Sequence, residues 1–219
     1  MASIIQSLIV FVLAIAVHEA AHGYVARHFG DNTAAAMGRV TLNPLKHIDP
    51  VGTVLLPLIL YFSTGFAFGY AKPVPVNFGR LRNPKRDMIW VALAGPVSNL
   101  IQALLWGIAG VLLLPLYGAG AMVHFFLGMC GIGTMVNLML FALNLFPLPP
   151  LDGGRVLVGL LPRNAAIAVS RIEPWGIWIA AALLVTGVLG NLWMYPLVSA
   201  IRTLLIALLP PLKILLPWF

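Results

Sequence analysis

The chain has 219 residues, of which 61% are hydrophobic and 9% charged, and its mean hydropathy is +0.98; soluble domains use roughly 45–50% apolar residues. This composition excludes a soluble globular enzyme and makes lipid the principal solvent. Thirteen Lys and Arg against six Asp and Glu leave a formal charge of +7, an excess that cytoplasmic loops facing anionic lipid account for, so nucleic acid is not expected as a partner.

In chain order, the first apolar stretch is 4–25. It is too long for the apolar core of a signal peptide and has no basic leader, so it reads as a retained helix. The second, 51–68, is interrupted by Gly52, Pro57 and Gly65, and an interrupted stretch of that kind is expected to enter the membrane and return. Stretches 88–116, 121–146, 175–190 and 192–209 are expected to span. Between the first and third stretches, 38–44 and 71–77 carry β-branched residues and prolines and read as edge strands or loops; with two prolines the second could pair along one side only. The predicted fold is an all-α polytopic membrane protein with about five spanning helices, a re-entrant segment and short membrane-associated β strands. It forms a single domain over 1–219, with a core at about 4–160 and C-terminal helices at about 174–219. The one cysteine, Cys130, lies in an apolar run, excludes an intrachain disulfide and reads as packing.

The chemistry is concentrated at His18-Glu19-Ala20-Ala21-His22. On a helix, residues i and i+4 share a face, so the two imidazoles converge while Glu19 sits about 100° round the helix. This pattern suits zinc, with two nitrogen ligands and a carboxylate able to take a proton from a metal-activated water. Such a site needs a third protein ligand. Asp31 and Asp49 lie in turn-like contexts, Asp87 follows the basic run Lys85-Arg86 and Glu173 precedes a proline at a helix start, so each has a structural explanation. Asp152 differs, because it closes Asn144-Leu145-Phe146-Pro147-Leu148-Pro149-Pro150-Leu151-Asp152-Gly153-Gly154, irregular backbone at or near membrane depth. Irregular backbone there must be buried in protein or line a watery cavity, and an acid in it is functional by default. Asp152 is therefore the expected third ligand.

Together these segments resemble the site-2 protease family of intramembrane zinc metalloproteases, whose signatures are a His-Glu-x-x-His helix and a later Asn-x-x-Pro-x-Pro-x-x-Asp-Gly type segment. The likeness extends to Gly38-Arg39-Val40-Thr41-Leu42-Asn43-Pro44, Lys72-Pro73-Val74-Pro75-Val76-Asn77 and Ala94-Gly95-Pro96-Val97-Ser98-Asn99, and covers roughly residues 10–160. It implies one Zn2+ per chain on His18, His22 and Asp152, Glu19 as general base, and Asn144 as a contact to the substrate backbone or oxyanion. It also implies a membrane-protein substrate cut within or near a transmembrane helix. The extended pieces near Val40 and Val74 could hold the unwound substrate by β-addition. PDZ and CBS modules of larger relatives are absent from the sequence.

Zinc ligation by the first and fourth stretches requires their C-terminal ends to lie on one side of the bilayer. That demands an even number of crossings between them, so 51–68 should re-enter. Eleven of the thirteen basic residues, Arg27 through Arg171, then share a side, which the positive-inside rule makes cytoplasmic. The expected location is a prokaryotic cell membrane, multi-pass, with the site toward the cytoplasm. Two other readings remain at this level: a non-catalytic membrane scaffold or chaperone of the same fold, and a metal transporter, the latter disfavoured because the third, fifth and sixth stretches are almost devoid of polar residues.

Overall fold

The computed structural model describes residues 2–47 and 72–216, with 49, 52, 55 and 59 alone between them. Nine α-helices are described: α1 (Ala2–His28), α2 (Thr33–Ala36), α3 (Pro84–Leu113), α4 (Ala121–Asn144), α5 (Asp152–Leu160), α6 (Arg163–Ser170), α7 (Glu173–Val185), α8 (Tyr195–Leu208) and α9 (Leu212–Leu215). Four stretches are long and apolar enough to cross a membrane: Ile4–His28, Pro84–Leu116, Ala121–Asn144 and Gly190–Leu208. At about 1.5 Å per residue each reaches the roughly 30 Å of a hydrocarbon core, or nearly so.

Two ridges explain why α1 and α3 pack closely. On α1, Gln6, Val10, Ala14, His18, His22 and Ala26 are all buried, while Ile4, Ile5, Leu8 and Leu13 point outward. On α3 the buried residues include Asp87, Val91, Gly95, Asn99, Ala103 and Gly107. Both ridges advance by four residues, so each lines one face of its helix. Their small members let the backbones approach, as membrane helices require where the hydrophobic effect gives no drive to associate. A second core joins α3 and α4 to the C-terminal helices through Ala103, Leu138, Ala142, Val198, Leu205 and Leu212.

Helix α3 starts where the sequence provides a start. Pro84 occupies the first turn after Asn83, and the buried Asp87 carboxylate reaches back to accept from Asn83 N at 2.7 Å, satisfying a donor the helix cannot. The chain entering α3 also meets the chain leaving α1, because Arg82 N donates to Phe29 O at 3.0 Å.

Three expectations need correction or restriction. Among the described residues there is no β strand. Segment 72–77 is extended, but Pro73 and Pro75 lack N–H groups and several of its other polar atoms pair outside any sheet. Lys72 N donates to His47 O at 2.9 Å, and the Arg39 guanidinium donates to Lys72 O at 3.0 Å. The expected span 175–190 is broken rather than continuous: α7 has 13 residues and bends by 65° from α6, the two passing as a fifth candidate span only when taken together, and Gly187 turns the chain at φ +76°, a left-handed geometry that favours glycine. Helix then resumes through a π-helical turn at Gly190–Met194 into α8, where Pro196 removes a ladder donor and a widened turn absorbs the loss. The expected re-entrant stretch 51–68 lies outside the described residues, apart from the isolated positions within it.

Candidate metal centre

Helix α1 delivers His18 and His22 one turn apart, and α5 delivers Asp152 from its first residue. The three residues are buried, at 8%, 8% and 6% exposure. Their ligand atoms form a nearly equilateral triangle: His18 Nε2 to His22 Nε2 is 3.0 Å, and Asp152 Oδ2 lies 3.2 Å from the first and 3.3 Å from the second.

The far side of each ring fixes what the near side presents. His22 Nδ1 lies 2.7 Å from the Val91 carbonyl, which can only accept, so Nδ1 carries the hydrogen and, in the neutral ring, Nε2 keeps its lone pair. His18 Nδ1 lies 2.6 Å from Asn99 Oδ1, with the same consequence. Two lone pairs and a carboxylate oxygen therefore converge with no hydrogen between them, and Asp152 Oδ2 is buried without a hydrogen-bond donor. A metal ion, or a proton shared between an imidazole and the carboxylate, relieves that arrangement. Tetrahedral zinc at about 2.0–2.1 Å from nitrogen separates its ligand atoms by roughly 3.3–3.4 Å, close to the observed triangle, so the residues present fit a metal ion.

Local structure explains why Asp152 can be there. In the loop 145–151 after α4, the prolines at 147, 149 and 150 have no N–H, and the donors that remain are all used: Leu145 on Phe141 O, Phe146 on Leu143 O, Leu148 on Phe146 O and Leu151 on Leu148 O. The N–H groups of the loop are thus satisfied by the chain's own carbonyls. Gly153 and Gly154 have no room for a side chain: a Cβ at either would strike the backbone of this loop, Leu145 O for the first and Pro149 N for the second.

Glu19 is half-buried, and its Oε2 accepts from Val74 N at 2.7 Å. The extended segment 72–77 thus lies across α1 beside the triangle, with Val74 buried and its side chain close over Gly23. Its far end is tied at Asn77, whose N–H donates to Asp31 Oδ2 at 2.7 Å. Asn144 is the last residue of α4, and its Nδ2 donates to Leu140 O of the same helix at 3.0 Å.

Comparison with known proteins decides the family. The chain is 39% identical to the "Putative zinc metalloprotease YwhC" of Bacillus subtilis over 198 residues, 89% of this chain and 86% of that protein. It is 32% identical to the "Putative zinc metalloprotease Rip2" of Mycolicibacterium smegmatis over 190 residues, 86% of this chain and 69% of that one. A Rip2 of Mycobacterium tuberculosis matches at 32% over 145 residues. The chain belongs to the site-2 protease family of zinc metalloproteases. No family model matches it, and no solved structure matches it significantly.

Within this site-2 protease family member, the structure brings together the three residues that the sequence singles out as ligands, and sets Glu19 next to them in α1. Sequence reasoning picked out Gly95 and Asn99 only within a family-like segment and assigned no residue to orienting the rings. Val91 acts through its backbone, which no side-chain pattern reveals. Gly95 leaves the space that the imidazoles fill, since a Cβ there would collide with both rings. Asn99 and Asn137 were legible as buried amides in apolar helices, a signal of interhelical bonding, but nothing in their spacing tied them to His18.

Proposed function

We propose that this chain is an intramembrane zinc endopeptidase that hydrolyses a peptide bond within or near a transmembrane helix of a membrane-protein substrate. The observation that carries the reading is the convergence of two imidazole nitrogens and one buried carboxylate oxygen within 3.0–3.3 Å of one another. His18, His22 and Asp152 would hold one zinc ion per chain. When bound, zinc supplies Lewis acidity, polarising the scissile carbonyl and lowering the pKa of a water to roughly 7.

Glu19 takes the proton of the attacking water and returns it to the leaving nitrogen. The Val74 N–H anchors one of its oxygens at 2.7 Å, which leaves the other for the proton. Asn144, at the end of α4 and just ahead of the loop that carries Asp152, is assigned to the substrate backbone or the developing oxyanion. A substrate helix hides its carbonyls in i to i+4 bonds, so it must unwind locally before Glu19 and the ligands can act on it.

The same reading places the chain in the cell membrane of a prokaryote with the site toward the cytoplasmic leaflet. Its support is the basic character of the site's end of the bundle, where Arg27 and His28 close α1 and Arg82, Lys85 and Arg86 open α3.

The test uses purified protein in detergent with a pool of single-span membrane peptides, products being read by mass spectrometry. Cleavage by wild type that disappears with a chelator and in Glu19→Gln is expected. Zinc-loaded wild type that cuts nothing in the pool, or cleavage that survives in Glu19→Gln, would contradict the enzymatic reading and favour a scaffold.

A further inference from the structure

Behind His18 runs a chain of buried amides that reaches a third helix. His18 Nδ1 lies 2.6 Å from Asn99 Oδ1, Asn99 Nδ2 donates to Asn137 Oδ1 at 2.9 Å, and Asn137 Nδ2 donates to Gly133 O at 2.9 Å. Both asparagines are fully buried. We infer that Asn99, itself oriented by Asn137, is a positioning residue that holds His18 in the tautomer with Nε2 free for the metal. The inference rests on the metal-site reading above and extends it to residues outside the ligand set.

The direction of the chain is forced from its far end. Gly133 O is a backbone carbonyl and can only accept, so Asn137 must present its Nδ2 to it and its Oδ1 to α3. Asn99 must then donate to Asn137 with Nδ2, which leaves only Oδ1 facing His18. An oxygen in that place requires Nδ1–H on His18, and the lone pair falls on Nε2. The opposite orientation of Asn99 would face two amide oxygens at Asn137 and put a hydrogen on His18 Nε2, pointing into the triangle 3.0 Å from His22 Nε2. One backbone carbonyl on α4 thus sets the polarity of a ligand on α1 through a residue on α3. His22 needs no such relay because Val91 O meets its ring directly.

Zinc affinity, measured by chelator competition on full-length detergent-purified protein, tests the inference without any substrate. Asn99→Leu, which keeps the volume and removes the acceptor, is expected to weaken zinc about 10–100-fold. Asn99→Asp keeps an oxygen on His18 and is expected to hold zinc more tightly than Asn99→Leu, despite burying a charge. Asn137→Leu, which frees the Asn99 amide to turn, is expected to fall between wild type and Asn99→Leu. A role in packing alone predicts the reverse order, with leucine tolerated at position 99 and the buried aspartate poorly folded. Wild-type affinity in both Asn99→Leu and Asn137→Leu, or weaker binding in Asn99→Asp than in Asn99→Leu, would overturn the inference. Failure of wild type itself to bind zinc would instead overturn the reading on which it rests.

Discussion

Glu19 is held differently from its neighbours in α1: His18 and His22 are braced by groups on α3, whereas its carboxylate is braced by the backbone of a connecting segment. It makes no ion pair with the triangle among the described residues, so Glu19→Gln should keep the zinc content of wild type while losing about 10²–10⁴-fold in cleavage rate, the usual share of a general base. Zinc analysis beside a cleavage assay checks both halves. Asp31 carries a second residue-scale expectation. It is wholly buried, and burial alone would raise its pKa. Hydrogen bonds from the Thr33 hydroxyl, Thr33 N and Asn77 N, with the charge of Arg80, outweigh this and hold it below the ordinary 3.8. A depressed carboxylate contributes stability that is complete above its unfolded value and lost as pH falls through its folded one. Wild type should therefore be more stable than Asp31→Asn by about 1.5–3 kcal/mol near neutrality, and the gap should close below about pH 4. Thermal melts of the pair across pH 3–7 measure it. From sequence alone Asp31 was a turn residue; its tie to Asn77 joins positions far apart in the chain, and local pattern does not encode that.

At the scale of elements, the α1 and α3 ridges decide how near the helices come, and Gly95 is the position on α3 where a side chain would occupy the space of the imidazoles. A Cβ at 95 would overlap His22 Nε2 and both His18 Cε1 and Nε2, so Gly95→Ala should displace the rings and lower bound zinc by at least tenfold, while Ala94→Gly beside it should leave zinc unchanged. Metal analysis of the two variants separates a steric effect on the site from general loosening of α3. The links between elements also bear on topology. Lys72 N meets His47 O and Arg82 N meets Phe29 O, so the described stretches that follow α1 and precede α3 meet each other. Single cysteines at Lys46 and Arg82 should accordingly react with an impermeant thiol reagent from the same face of sealed vesicles, and reaction from opposite faces would contradict an even number of crossings. The helices themselves were legible from apolar length, since lipid leaves a spanning backbone few choices. The strands were not, because β-branched residues and prolines describe an extended chain without saying what meets its polar groups. Here the partners were Glu19, Arg39 and Asp31 rather than a sheet.

For the whole molecule, the metal would act as a staple between the start of the chain and its later part. His18 and His22 lie in α1 and Asp152 beyond α4, so the ion joins elements separated by most of the catalytic core. A ligand present at 100 times its dissociation constant adds about 2.7 kcal/mol to the folded state, and chelation should therefore lower the unfolding temperature of wild type but leave Asp152→Ala unmoved. The meeting of His18, His22 and Asp152 was readable in advance because its parts are chemically rare in this sequence: two histidines on one helical face, and an acid in a proline-broken stretch of a chain with only six acids. The fine geometry was not readable, since it depends on which carbonyl and which amide lie behind each ring.

If His18 and His22 from α1 and Asp152 from beyond α4 hold one zinc ion, zinc per chain in purified protein shows it most directly. Wild type and Glu19→Gln should each contain close to one equivalent, with His22→Ala and Asp152→Ala losing most of it under the same conditions. Full occupancy in Asp152→Ala, or none in wild type purified with zinc supplied, would contradict the account.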